Sequence, residues 1–426
     1  MHFHFTQSIV SDSSYSNSNA VSKSRNAFWS LDVFPGDLPT AQSTIQDWRR
    51  QAENPMIGLF RYSSIATIQL PTTDLEVPKL EPKQTKEGKL SQNIDVSNNN
   101  DIVVLTRKGH KFNPEDNKRT PNQDRVLVLS RRDDDIHEKN KVSSDWWMGL
   151  FDGHGFYGHD VSQYVSSEFA RRINKEWEDE SSLISSNAAS SNKSSAAVKD
   201  MLKTLCLEIN HSIPNFMRNS GSTGISVLKR GDSLYISNIG DSAGFVASYN
   251  KSLNSLEIIY STKPHKPDSP SERKRIERKG GKVLNPPLPG YTARLIIPVE
   301  VGGQLFESGL AMSRSFGDHD GEKVGLITEP DTDVLDLSQF DKNLEYFVVA
   351  ATDGLVDFGK LSEEEVALAI AKAFSVEEES HIRRRLVSAR GTEAARELIL
   401  KSSEKWFAEP GNYRDDISIA AHKLRF

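Results

Sequence analysis

Several aspartates in this sequence stand where a buried-looking strand stops or starts. Asp152 follows the run WWMGLF and opens DGHG, Asp241 follows LYISNIG, and Asp353 follows YFVVAAT and precedes Gly354. Asp415 and Asp416 immediately precede ISIAA. Any one of these alone reads as a turn former, because Asp-Gly pairs favour turns. Recurrence at successive strand boundaries points further. Strands lying side by side bring their ends together, and several carboxylates gathered without a cation repel one another strongly. Hard divalent cations remove that penalty, and an all-oxygen donor set suits Mg²⁺ or Mn²⁺. Two other side chains fit the same chemistry. His154, two residues after Asp152, could protonate a leaving alkoxide, although a histidine in a glycine-rich turn commonly serves as a structural hydrogen-bonder. Arg119, in RTPNQDR five residues before Asp124, offers a planar fork to a phosphate.

These residues need a scaffold of strands. β-Branched and aromatic runs bounded by turns predict strands over Ile102–Leu105, Val126–Ser130, Trp147–Phe151, Ile225–Lys229, Leu234–Ile239 and Gly244–Ser248. Leu256–Tyr260, Tyr346–Ala351 and Ile417–Ala421 continue the series. Helical patterns fall at Gly158–Asp179, Val198–Met217, Pro270–Lys279, Ser362–Phe374 and Thr392–Phe407. Strands succeed one another more often than they alternate with helices. An α+β fold follows, with packed antiparallel sheets and helices outside.

Residues 1–100 differ from the rest. Ser13–Ser24 is a Ser/Asn tract, and Pro71–Asn100 is rich in Lys, Pro, Asn and acids, so neither buries enough apolar surface to offset its ordering entropy. A largely disordered extension is expected there, with a short helix at Thr40–Glu53. The domain proper is expected over 101–426, interrupted by a Ser-rich flexible insertion at 181–197. The charged run within Glu272–Lys279 reads as a solvated helix face.

Composition excludes some functions. The 426 residues carry 53 Lys and Arg against 59 Asp and Glu, a formal charge of -6, which does not attract nucleic acid. One cysteine, Cys206, allows no internal disulfide, fits a reducing compartment, and sits in a helical pattern as core. The longest apolar runs fall far short of the about 20 residues a membrane helix needs. The N-terminus lacks the basic start and apolar stretch of a secretory signal. An intracellular protein, cytoplasmic or nuclear and monomeric, is expected; the Ser-rich, acid-poor opening keeps organelle targeting as a lesser alternative.

The sequence as a whole resembles the metal-dependent protein phosphatases (PPM, or type 2C, serine/threonine phosphatases), with features of plant and protist members. The matching blocks are RTPNQDR, WMGLFDGHGFYGHDVSQYV, SGSTGISVL, LYISNIGDSAGFV, KPHKPDSPSERKRIERKGGKV, GLAMSRSFGD, FVVAATDGLVDF and YRDDISIAA, in that order from about Asp101 to Leu424. The resemblance implies a four-layer α-β-β-α sandwich of two antiparallel sheets between helices. It implies that Asp152, the Gly153 carbonyl, Asp353 and Asp415 hold two Mg²⁺ or Mn²⁺ ions, and that Asp241 and Asp357 hold a weaker third. Asp124 would orient bound water, Arg119 would hold the phosphate, and His154 would be the general acid. The implied reaction hydrolyses phosphoserine and phosphothreonine in phosphoproteins, by in-line attack of a hydroxide bridging the two metals. Departures from the family pattern are Gln123 where many members have glutamate, Ala243 after GDS, and Asp416 where asparagine is frequent. None removes an implied metal ligand. Lys282–Ser308 resembles the family's variable flap. The alternatives are a non-catalytic scaffold of the same fold and a different two-metal hydrolase acting on nucleotides. The second would call for several metal-binding histidines, and only His154 among 11 stands near the strand-edge acids.

Overall fold

The central strands of the domain read as apolar on both faces, which requires a layer on each side of the two sheets they form. A computed structural model describes residues 4–6, 101–109, 121–131, 145–185, 194–286, 291–301, 304–356, 361–375, 383–407 and 414–425. The first elements are β1 (His4–Thr6), β2 (Ile102–Arg107), β3 (Asp124–Ser130), β4 (Trp146–His154), α1 (Gly158–Ser185) and α2 (Ser195–Ser212). There follow β5 (Gly221–Ser222), β6 (Gly224–Arg230), β7 (Ser233–Ile239), β8 (Ala243–Asn250), β9 (Ser255–Ser261) and α3 (Pro270–Arg278). The chain continues through β10 (Lys282–Leu284), β11 (Arg294–Val301), β12 (Gln304–Leu310), β13 (Phe316–Gly317) and β14 (Asp331–Asp336). It closes with β15 (Glu345–Ala351), α4 (Glu363–Phe374), α5 (Arg383–Phe407) and β16 (Ile417–Leu424).

Two antiparallel sheets form the centre. One is ordered β2-β16-β15-β8-β9; the other runs β3-β4-β6-β7-β14, with β5 and β13 continuing from the end of β4. Alternation along each strand assigns the layers. On β4, Trp146, Met148 and Leu150 point into the gap between the sheets, where they meet Val104, Val246, Val348 and Ala420 of the opposite sheet. Trp147 and Phe151 point the other way, onto Val165, Phe169 and Ile173 of α1 and Leu202 and Ile209 of α2. The second sheet presents Leu105, Phe245, Phe347, Val349 and Ile419 outward to Val366 and Ile370 of α4 and Leu398 and Ile399 of α5. The four-layer order α-β-β-α expected from the resemblance follows directly from these contacts. Trp147 ties its layers together: its ring stacks on Phe169 at 5.6 Å and its indole N–H donates to Ser226 Oγ at 2.8 Å.

Some boundaries differ from the sequence expectation. Helix α1 continues to Ser185 and α2 begins at Ser195, capped by the Ser194 hydroxyl, so helix occupies both margins of the insertion expected at 181–197. Helix α5 starts nine residues before Thr392, running through Gly391. A side chain at Gly391 would meet the Phe374 ring at 2.9 Å, so close packing of α4 on α5 explains a glycine that otherwise weakens a helix. The flap-like segment is a sheet of its own, β1-β12-β11-β10, resting through Leu295, Ile297 and Leu310 on Ile276 of α3. The charged run of α3 is not wholly solvated, since Glu272 is buried and bound by Arg314 and Ser313. Those hydrogen bonds hold the Glu272 carboxyl down to about 2, against burial that alone would raise it. Apart from His4–Thr6, the expected disordered extension over 1–100 and its helix at Thr40–Glu53 lie outside the described residues. Among the described residues no helix is long and apolar enough to cross a membrane.

Candidate active site

Antiparallel register between β3 and β4 sets Asp124 directly opposite Asp152. Side chains so paired stand about 5 Å apart on one face, and like charges there are destabilising. Both are buried, with relative exposures of 1% and 3%. The two central sheets then add further acids at the same end. Asp353 lies two residues past β15, and Asp415 and Asp416 lie just before β16. Ser418 at the start of β16 donates to Asp124 Oδ2 at 2.7 Å, which fixes the β16 end against β3. Asp241 stands two residues past β7, behind Gly240.

The electrostatics show the acids acting on one another. Burial, then the charges of Asp416 and Asp353, push the Asp124 carboxyl up to about 7, with the Ser418 hydrogen bond opposing them. Burial, then the charges of Asp124 and Asp353, push Asp152 well above the usual carboxylate range, and Asp241 adds to this. Asp124 Oδ1 and Asp241 Oδ1 are buried and accept no hydrogen bond from the described residues. Hard oxygen donors, crowded together and with lone pairs left over, suit divalent cations of the Mg²⁺ class. Among the described residues no three carboxylate, imidazole or thiolate groups stand close enough to enclose an ion by themselves.

The main chain around Asp152 is held from several sides. Its N–H donates to Thr223 Oγ1 at 3.0 Å and its carbonyl accepts from Thr223 N at 2.9 Å. Gly153 N–H donates to Gln123 O, and a Cβ at Gly153 would lie 2.2 Å from Gly158 O, so only glycine fits this approach. Gln123 braces the next turn as well, donating its amide to Gly155 O at 2.7 Å. Its residue type departs from the family pattern, yet its work here is structural.

Asp416 is likewise a strut. Its Oδ1 accepts from Gly109 N and its Oδ2 from Gln123 N at 2.9 Å, which joins the β2 end, the β3 start and the β16 start. Asp416→Asn keeps only one acceptor for two N–H donors. Losing a hydrogen bond to a charged group costs about 1.5–3 kcal/mol, partly offset by relief of the charge beside Asp124. The expected net loss is about 1 kcal/mol, read as a lower unfolding midpoint in EDTA at pH 7.

The expected site residues thus divide. Asp124, Asp152 and Asp353 come together with Asp416, with Gly153 adjoining and Asp415 next to Asp416. Asp415 Oδ1 accepts the Asp416 N–H at 2.9 Å. Asp241 acts on Asp152 electrostatically but is also paired with Lys266 Nζ at 2.9 Å, so a third cation there would compete with an ammonium. His154 lies one residue past Gly153, buried against Asp318. Arg119 and Asp357 lie outside the described residues. Sequence reasoning did not single out Asp318, Thr223, Ser418 or Lys266. Each sits in or beside a motif block, but polar residues of strand ends carry no periodicity that distinguishes them.

The thiol of Cys206 is buried in the α2 core, where burial pushes its pKa far above the usual thiol range, so it offers no nucleophile.

Comparison with known proteins places the chain in one family. The family profile described as "Protein phosphatase 2C" matches residues 112–403. "Probable protein phosphatase 2C 41" of Arabidopsis thaliana is 31% identical over 216 residues, covering 50% of this chain and 58% of the relative. "Probable protein phosphatase 2C 14" of Oryza sativa subsp. japonica is 30% identical over 289 residues, covering 61% of this chain and 51% of the relative. The chain therefore spans little more than half the length of these curated relatives. Among solved structures, the serine-threonine phosphatase 2C of Toxoplasma gondii shares the fold with a TM-score of 0.54 at 18% identity, over 76% of this chain and 94% of that one.

Proposed function

The chain belongs to the protein phosphatase 2C family, and we propose that it is a metal-dependent protein serine/threonine phosphatase acting on phosphoproteins. The observation that carries this is the buried pair Asp124 and Asp152, face to face in register, with Asp353 raising both. No described lysine or arginine pairs with either. An arrangement this unfavourable to folding persists where function requires it.

Asp152, the Gly153 carbonyl, Asp353 and Asp415 would hold two Mg²⁺ or Mn²⁺ ions, with Asp241 and Asp357 available to a weaker third. Bound there, the ions supply a water acidic enough to react near neutral pH and positive charge for the phosphoryl oxygens. The chain's own residues do the rest. Asp124, fixed by Ser418, presents its second oxygen toward the attacking water. Arg119 holds the phosphate as a bidentate fork. His154 gives a proton to the departing serine or threonine oxygen. A reducing intracellular setting and a monomeric chain are part of the same proposal, consistent with the lone, buried Cys206.

Phosphate release from a phosphothreonine peptide by the purified chain tests it. Turnover is expected with Mn²⁺ and none with excess EDTA. Equal absence of turnover in both, with peptide binding retained, would favour a scaffold of the same fold.

A further inference from the structure

His154 Nε2 lies 2.6 Å from Asp318 Oδ2, a contact between residues 164 apart in sequence with side chains 1% and 5% exposed. Nothing in the proposed function uses Asp318. The geometry points to Asp318 as the positioning residue of the general acid: it fixes the ring of His154 through Nε2, so that the proton is delivered from Nδ1. This rests on the phosphatase reading above.

Several independent constraints serve this contact. A short ladder of three strands brings the partners together: β4 pairs with β5 at His154 and Gly221, and β5 pairs with β13 at Gly221 and Gly317. Gly221 lies between them. A Cβ there would stand 2.2 Å from Asp318 Oδ2 and 2.5 Å from His154 Nε2, so the ladder has room for the pair only because that position is bare. Asp318 itself takes a left-handed backbone (φ 48°, ψ 41°), one of two such non-glycine residues among those described. That conformation is held by Asp318 N–H donating to Ser220 O at 2.9 Å and His319 N–H to Arg218 O at 2.8 Å. Ser315 Oγ donates to Asp318 Oδ2 at 2.7 Å, which aims the same oxygen that meets the ring.

Core stability does not account for this. Burying an imidazole and a carboxylate together is weak evidence for stability, because desolvation offsets the attraction, and a left-handed non-glycine residue adds strain. Both are understandable if the ring must carry a proton in one orientation. In the step itself, water oxygen bonds to phosphorus and gives up one proton to solvent as the bond from phosphorus to the serine or threonine oxygen breaks. The departing oxygen keeps that electron pair and takes the proton from His154 Nδ1. Nε2–H stays on Asp318 throughout, and solvent returns the lost proton. An aspartate holding an imidazole for proton transfer through its other nitrogen is an established physical device.

The role predicts a dependence on the leaving group. A serine or threonine oxygen needs a proton to depart, whereas 4-nitrophenolate leaves readily without one. In Asp318→Asn, kcat on a phosphothreonine peptide is expected to fall about 100-fold, within the range for general acid catalysis. The fall on 4-nitrophenyl phosphate should be at most a tenth as large, with the peptide loss in kcat and not in KM. His154→Gln should show the same split, and the double variant little more than either alone. Ser315→Ala, which spares the aspartate, should show a smaller loss with the same bias and serves if Asp318→Asn folds poorly. Equal losses on the two substrates, or a loss confined to KM, would overturn the inference and leave the phosphatase reading standing. A wild-type chain with no Mn²⁺-dependent turnover of either substrate would refute that reading, and this one with it.

Discussion

Asp353→Asn is expected to lower kcat on a phosphothreonine peptide by about 10³-fold or more while making the metal-free protein more stable. The rate loss follows from removing one ligand of the proposed two-cation centre, which would forfeit several kcal/mol of charge stabilisation; about 4 kcal/mol corresponds to ~10³ in rate. The stability gain follows from the electrostatics of the fold. Asp353 is buried, and its charge raises both Asp124 and Asp152. An amide of the same volume keeps the packing and removes that repulsion. The gain should be on the order of 1 kcal/mol, measured by thermal unfolding in EDTA at pH 7.5. A variant that loses both activity and stability would mark Asp353 as a structural residue. Near-normal rates would remove it from the site.

Mn²⁺ is expected to stabilise the chain far more at pH 7.5 than at pH 5. The Asp124 carboxyl is held at about 7 in the fold, against an ordinary value near 4 when unfolded. A carboxylate raised on folding binds protons more tightly when folded. Its contribution to the metal-free protein is therefore most favourable at low pH and is lost as pH rises from about 4 through about 7. Asp152 is shifted in the same direction. Cations bind the ionised acids, so they compete with protons below that window and release protons on binding near neutrality. At a free concentration about 100 times Kd, one site contributes about 2.7 kcal/mol. Thermal unfolding with and without Mn²⁺ at the two pH values should show the difference, and calorimetry in buffers of different ionisation enthalpy should show protons released at pH 7. A pH-independent stabilisation would mean that the cations bind elsewhere.

Much of the central sandwich was legible in the sequence because its strands are buried on both faces. The run Trp146–Phe151 reads as unbroken apolar, and the structure explains it by the opposite sheet on one side and α1 and α2 on the other. The acids at the strand ends were legible through their recurrence, since any one of them alone reads as a turn former. The strands of the flap sheet and β14 were not. β12 starts with exposed Gln304 and Leu305, and the only apolar residues of β14, Val334 and Leu335, are adjacent between aspartates, so neither carries a strong period-two signal. The first part of α5 was hidden by Gly391, whose place in a helix makes sense only once Phe374 is seen against it. Asp416 read only as a departure from the family pattern beside the expected ligands, and it braces two backbone N–H groups. The pairing of His154 with Asp318 depends on a three-strand ladder with a bare glycine at its centre, and no local pattern announces it.

The proposed two-cation centre requires carboxylates from separate strands to meet at one end of the sandwich. Titration of the metal-free chain with Mn²⁺, counting bound ions by electron paramagnetic resonance, addresses it most directly. Two tightly held ions per wild-type chain are expected, and at most one in Asp152→Asn. No tightly held ion in the wild type, or the same count in both proteins, would contradict the account.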